Sequence, residues 1–318
     1  MRAEATPPFA LDEDHDMPDI LLHHYDNSPF SEKVRVCLGI KGLAWGAVEQ
    51  PVIMPKPQLV PLTGGYRRIP VMQIGADIYC DSMLIVRELE RRFPDPTLFP
   101  DGNRGLAQAL ALWTDRSLFQ AAVAVIFGNL AEHVDPAFIK DREALSGQPF
   151  DTDRMRLAIP HMEAQLRAHV ALIAEQLADG RAFLGGDRPG LADANAYYNL
   201  WFIRNAFPPA SGIFTDDALV SDWVGRVAAI GHGTRSPVSA DAALAVARDA
   251  VPGSSTVARR DAALAGKTVT VAADDYGRDP IAGTLVGSSD HHVAIRRECD
   301  DLGEVVVHFP RIGFVIQG

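Results

Sequence analysis

The sequence predicts three parts: a small mixed α/β domain, an all-helical bundle domain, and a small β-barrel-like extension at the C-terminus. Three observations predict this. Residues 19–100 alternate strand-like and helix-like patterns. From Arg104 to about Ala250 the strand signals stop. After residue 260 short β-branched runs return, separated by Gly or Asp pairs.

In the first part, "DILLHHY" reads as a strand and "SPFSEKVRVCLGIKG" as a helix closed by Gly42. "AWGAVEQPV" is a second strand. After a proline-rich loop, "IPVMQIG" and "ADIYCD" form a hairpin that turns at Gly75 and Ala76. "SMLIVRELERRF" is a helix with Met83, Val86, Leu89 and Phe93 at helical spacing. "PDPTLFPDG" is too rich in Pro, Asp and Gly to continue it and reads as a linker. In the second part Leu106, Leu110, Trp113 and Ser117 follow one helix face, and Ile159, Met162, Leu166 and Val170 another. Residues 193–205 and 219–230 continue the helical pattern. "VPGSSTVARRD" is a second linker. The strands that follow, "KTVTVAAD", "IAGTLVGSS", "HHVAIRREC" and "GEVVVHF", suit a small barrel or meander. Residues 260–318 are short for an independent domain, so they are expected to pack on the helical one.

Composition narrows the function. The 318 residues are 47% hydrophobic and 22% charged, which suits a soluble globular chain. A formal net charge of −11 argues against nucleic-acid binding, which needs Lys and Arg to neutralise phosphates. Part of the acidity lies in "EDHD", within an expected solvated tail over residues 1–18. Three cysteines make no disulfide framework and point to a reducing, cytoplasmic compartment. No apolar run reaches the ~20 residues of a membrane span, and the N-terminus lacks the apolar core of a secretory signal. The adjacent pairs His23–His24 and His291–His292 sit on strand-like runs, so their side chains diverge and no metal site is expected.

The order of elements, with "SPFSEKVR" at the first helix, then "RRIPVMQIG" and "DSMLIVRELE", resembles the glutathione transferases over residues 20–235. The last β segment lies outside that pattern. The resemblance implies a thioredoxin-like domain over 19–100, an all-helical transferase domain over 104–250, and an additional β domain over 260–318. It implies glutathione as co-substrate, no metal, a hydrophobic electrophile or peroxide as second substrate, a detoxifying role and a two-fold homodimer. The added β segment stands as a possible obstacle to that dimer.

Several residues then carry two roles each. Ser28, at a helix mouth, either caps the helix or donates to the glutathione thiolate, matching the serine of the plant-type enzymes. Tyr25 ends the strand about where the tyrosine-type classes hold their phenol, and Ser31 lies one turn beyond Ser28. Pro70 either opens a strand or, as the resemblance implies, follows a cis peptide that turns the backbone of Ile69 and Val71 toward the tripeptide. Asp81 and Ser82 either cap a helix or bind the γ-glutamyl end, the carboxylate on the helix amides and the Ser82 hydroxyl and the ammonium on Asp81. Lys56 is either solvated or paired with the glycine carboxylate, and Arg68 has the same two roles. Trp113, Phe119, Tyr197, Tyr198 and Trp201 either line the electrophile site or belong to the core. "LGGDRPGLADANAYYNLWF" resembles the family's buried helix, with Gly190 where Ser or Thr is usual and Asp193 left to hold the helix start. The other function class open to this sequence is a transferase-like binding protein without turnover.

Overall fold

All four residues of β1 (Leu21–His24) are buried, the mark of a strand covered on both faces. The chain then enters α1 (Pro29–Ile40) through Ser28, whose hydroxyl accepts the Ser31 N–H at 3.2 Å. Pro29 suits the first turn, where its missing N–H costs nothing and its φ is already helical. β2 (Ala44–Glu49) runs parallel to β1, a short α2 (Leu59–Thr63) follows, and β3 (Val71–Ile74) turns through Gly75 and Ala76 into β4 (Asp77–Cys80). Gly75 takes the positive φ, 58°, that the turn needs. α3 (Ser82–Arg92) closes this part. The coordinates are a computed structural model that describes residues 17–100 and 102–318. Most of the expected acidic tail, 1–18, falls outside the described residues.

The helical part comprises α4 (Arg104–Trp113), a π-helical turn (Thr114–Leu118), α5 (Phe119–Asn129), α6 (Pro136–Ser146), α7 (Thr152–Leu177), α8 (Leu191–Ala206), a short α9 (Gly212–Thr215) and α10 (Ala218–Ile230). α4, the π turn and α5 form one helix of 26 residues. Its length and mean composition would also suit a membrane span, although polar Thr114, Asp115 and Arg116 interrupt the apolar run, as the sequence shows. Here it packs on α7 and α8.

α8 begins at Gly190, where a Cβ would lie 2.8 Å from the Leu98 carbonyl and 2.9 Å from Pro100. No side-chain cap fits there. Asp193 supplies the cap instead, accepting the N–H groups of Gly190 (2.9 Å) and Leu184 (2.8 Å) and the Trp223 indole N–H (2.8 Å). All three bonds are buried, so Asp193→Asn, which sets an amide donor against N–H donors, is expected to cost ~1.5–3 kcal/mol. Thermal unfolding should show that loss, with secondary structure unchanged at 25 °C.

Residues 234–318 correct the expected organisation. β5 (Thr234–Pro237) pairs parallel with β2, and α11 (Ala240–Asp249) packs on β2 and β9 (Gly303–Pro310). Residues 234–249 therefore belong to the sheet, not to the helical domain. The remaining strands are β6 (Thr268–Ala273), β7 (Ile281–Ser288), β8 (His292–Cys299) and β10 (Phe314–Gln317). β9 runs parallel to β4, with Ile78 opposite Val307 and Tyr79 opposite His308. One ten-stranded sheet results, in the order β10-β6-β7-β8-β9-β4-β3-β1-β2-β5. Among the described residues no pairing closes the C-terminal strands into a barrel, and they dock on the α/β domain instead of the helical one. The physical reason lies at β4. Without β9 its outer edge would expose unpaired N–H and C=O groups, and Val71, Ile78 and Cys80 would lose their packing against Val305, Val307 and Phe309.

Candidate active site

A cavity of about 720 Å³ opens between the α/β and helical parts. Tyr25, Ser28, Lys56 and Ile69 stand on one side; Phe119, Phe127, Phe138 and Phe202 stand on the other. A smaller pocket of about 100 Å³, holding Pro70, Asp81, Ser82 and Asp115, adjoins it. Phe30, Arg68, Ile69 and Tyr276 line both. An apolar chamber thus meets a polar recess along one shared wall.

Ser28 is 1% exposed and its backbone N–H donates to the Tyr25 carbonyl at 3.0 Å. Its Oγ accepts the Ser31 N–H, so the cap is present. A hydroxyl that accepts one bond still has its own proton to donate. The Ser31 hydroxyl is fully buried and finds no partner among the described residues. Burial pushes the Tyr25 phenol above its ordinary pKa, so at neutral pH it is a donor and not a base.

Lys56 is 3% exposed, with its ammonium 5.6 Å from the Tyr25 ring centre. Burial first, then the Arg142 and Arg67 charges, bring it down to about 8. Among the described residues no carboxylate lies within ion-pair distance of it. The Ile69–Pro70 peptide is cis, as expected. Val71 is different from expectation: it is fully buried and in register with His23 on one side and Cys80 on the other. Sitting inside the sheet, it has no face toward either pocket; Ile69, ahead of the strand, does.

Asp81 caps α3 by accepting the Met83 N–H at 2.9 Å. Its φ of 74° is unusual for a residue with a side chain. Burial pushes its carboxyl up, and the Arg68 charge pulls it down. Ser82, 4% exposed, is the first residue of α3, so the small pocket ends on a helix N-terminus. Asp115 also reaches this pocket, but it is engaged by Lys33 (2.6 Å) and the Tyr198 hydroxyl (3.0 Å).

Known proteins share this fold. Residues 22–97 match the glutathione S-transferase N-terminal domain and residues 120–226 the C-terminal domain. A GST-like protein from Pseudomonas syringae is 35% identical, with 95% of this chain and 99% of that one covered at a TM-score of 0.77. The chain belongs to the glutathione S-transferase family. A Tau class glutathione S-transferase from mango, 18% identical with a TM-score of 0.52, covers 66% of this chain and 89% of its own, and shares the fold. A probable glutathione S-transferase from Solanum tuberosum is 28% identical over 101 residues, 31% of this chain and 46% of that protein. The chain spans about half the length of the curated relatives it matches.

Within the transferase fold the aromatic expectation needs correction. Trp113 donates to His169 at 3.1 Å, away from the cavity. Tyr197 and Tyr198 are core residues at 2% and 0% exposure, and Trp201 lies under the Arg35 guanidinium at 5.6 Å. None of the four lines either pocket: Trp113 ends α4, and the stretch of α8 that holds the other three packs on α1 and α4. Phe119 does line the cavity. The missed signal was its own helix face: Phe119, Val123, Phe127 and Leu130 repeat at helical spacing on α5, and all four line the cavity. Phe150, in the loop before α7, had no such signal.

His24, Asp26 and Glu49 bring ligand-type atoms within 4.8 Å of one another, a grouping absent from the sequence expectation. Arg235 already sits beside both carboxylates, at 2.7 and 3.9 Å, and His24 Nδ1 faces the Arg35 guanidinium at 3.1 Å.

Proposed function

We propose that this chain is a glutathione transferase in which Ser28 activates the glutathione thiol for attack on a hydrophobic electrophile or peroxide. The observation that carries the proposal is the shared wall: a polar recess ending on Asp81 and Ser82 opens into a phenylalanine-lined chamber beside Ser28. The recess suits the γ-glutamyl end, the Ile69 backbone suits the cysteinyl part, and Lys56 suits the glycine carboxylate. The thiol then lies at the mouth of α1. There a helix N-terminus stabilises an anion by about 0.3–1 kcal/mol, and a hydroxyl donating to a thiolate adds about 1.5–3 kcal/mol. Lowering a thiol pKa by two units needs about 2.7 kcal/mol, within their joint reach. In conjugation the thiolate sulfur forms a bond to the electrophilic carbon and the leaving group departs with the electron pair. With a peroxide the sulfur attacks one oxygen, the O–O bond breaks to release the alcohol and leave a sulfenic acid, and the thiol of a second glutathione displaces water to close the disulfide.

The proposal includes a cytoplasmic location, consistent with three free thiols, and a two-fold dimer. A partner would have to dock away from the β4 edge, which β9 occupies. Calorimetric titration with glutathione, followed by a panel of model electrophiles, tests the function. Binding with turnover supports it; binding without turnover on the panel would favour a transferase-like binding protein.

Lys56 gives a pH signature. Its charge is present below about pH 8 and is lost as pH rises through that value. S-methylglutathione, which has no thiol to titrate, should therefore bind less tightly at pH 9 than at pH 7. Lys56→Met should remove part of that fall. The ligand's own ammonium titrates alike in both proteins, so the difference between the two curves reports Lys56.

A further inference from the structure

We propose that the C-terminal strands carry part of the glutathione site: Tyr276 contacts the bound tripeptide, and Asp275 positions Arg68 to receive one of its carboxylates. This rests on the transferase function proposed above. The loop between β6 and β7 leaves the extended sheet and reaches the cavity, where Tyr276 stands in the wall common to both pockets. Its ring lies 4.4 Å from the Arg68 guanidinium, and the Asp275 carboxylate is 3.2 Å from Arg68 Nη1. Phe314 of β10 adds a third C-terminal side chain, 5.7 Å from the same guanidinium.

The loop is fastened at its tip. Gly277 N–H donates to the Leu145 carbonyl of α6 at 2.8 Å. Gly277 has a φ of 60°, and a Cβ there would meet Leu145 at 2.9 Å, so glycine is what lets the loop come this close. The loop thus bridges the α/β and helical parts across the site.

Arg68 supplies the reason for a ligand. Its side chain is 11% exposed, and apart from the approach of the Tyr276 hydroxyl to the guanidinium, Nε and Nη2 find no partner among the described residues. Two such N–H directions of a planar fork are what a carboxylate takes in bidentate fashion. They lie beside the recess that ends on Ser82. Asp275, itself 37% exposed, engages Nη1 and leaves that edge open. Asp275 is accordingly a positioning residue, while Tyr276 faces both the recess and the apolar chamber.

The test uses the full chain, because the C-terminal strands share the core of the α/β domain. Glutathione and S-hexylglutathione are titrated calorimetrically into wild type, Tyr276→Ala, Asp275→Asn and Asp275→Glu. Tyr276→Ala is expected to weaken both ligands about tenfold, and Asp275→Asn to weaken them by a similar factor, with recovery in Asp275→Glu. Hydrogen exchange at residues 275–277 of the wild type should slow on adding glutathione, a readout that needs no variant. Wild-type binding with unaltered variant affinities, or with unchanged exchange in this loop, overturns the proposal while leaving the transferase function standing. A wild type that does not bind glutathione overturns both.

Discussion

A chain ending at residue 253 is expected to fail to fold instead of yielding a trimmed transferase. β9 is not an appendage. It is hydrogen-bonded to β4, its last six residues are all buried, and His308 both stacks on Tyr79 at 4.4 Å and meets the Asp77 carboxylate at 2.8 Å. Without these strands Leu59, Leu62, Val71, Ile78 and Cys80 lose their apolar cover. Each large apolar side chain so exposed costs ~1.5–3 kcal/mol. Several of them together approach or exceed the ~5–15 kcal/mol by which a whole domain is stable. The milder substitution Phe309→Ala, at a fully buried position, should cost ~3–5 kcal/mol. Circular dichroism and thermal unfolding check both. A truncated chain that melts cooperatively near the full-length temperature would show that the two parts do not share a core.

Much of the first domain was legible in the sequence because its signals are local. Ser28 before Pro29 marks a helix start, Gly75–Ala76 marks a turn, and the alternation of periods in 19–100 follows the pleat and the helix turn. Strand pairing is not local. The run "GEVVVHF" showed that residues 303–309 form a strand, but not which edge they join. Its unbroken apolar stretch did hold a hint, since alternation marks a strand with one wet face and continuous burial marks the interior of a sheet. β5, "TRSP", carries no strand signal at all and pairs only because β2 offers it an edge. The site divided the same way. Ser28, Asp81 and Ser82 lie at helix starts that the sequence announces. Tyr276 reaches the cavity from the loop after β6, the fourth strand out from β4, and the Tyr197–Tyr198 pair points into the core through packing that periodicity does not show.

The second large effect is expected at Ser28. Ser28→Ala removes the cap on the Ser31 N–H, at ~1 kcal/mol of stability, but keeps Pro29 and the recess, so glutathione affinity should change little. The bound thiol loses its hydroxyl donor, and its pKa should rise by about one to two units. Turnover at neutral pH then falls by about 3-fold for a one-unit rise and about 25-fold for a two-unit rise, in step with the thiolate fraction. Asp81→Ala should do the reverse, weakening glutathione while leaving the pKa of what remains bound nearly unchanged. It also removes the cap on Met83 N–H and so costs ~1 kcal/mol of stability. Tyr25, held protonated by burial, is the donor to test next if Ser28 is only a cap.

The most direct test is the thiolate absorbance of bound glutathione followed across pH in wild type and Ser28→Ala. The wild-type midpoint should lie about two units below the ~8.5 of a free thiol and should move back toward it in the variant. A wild-type midpoint at the free-thiol value, or one that Ser28→Ala leaves where it was, would contradict the assignment of Ser28 as the activating hydroxyl.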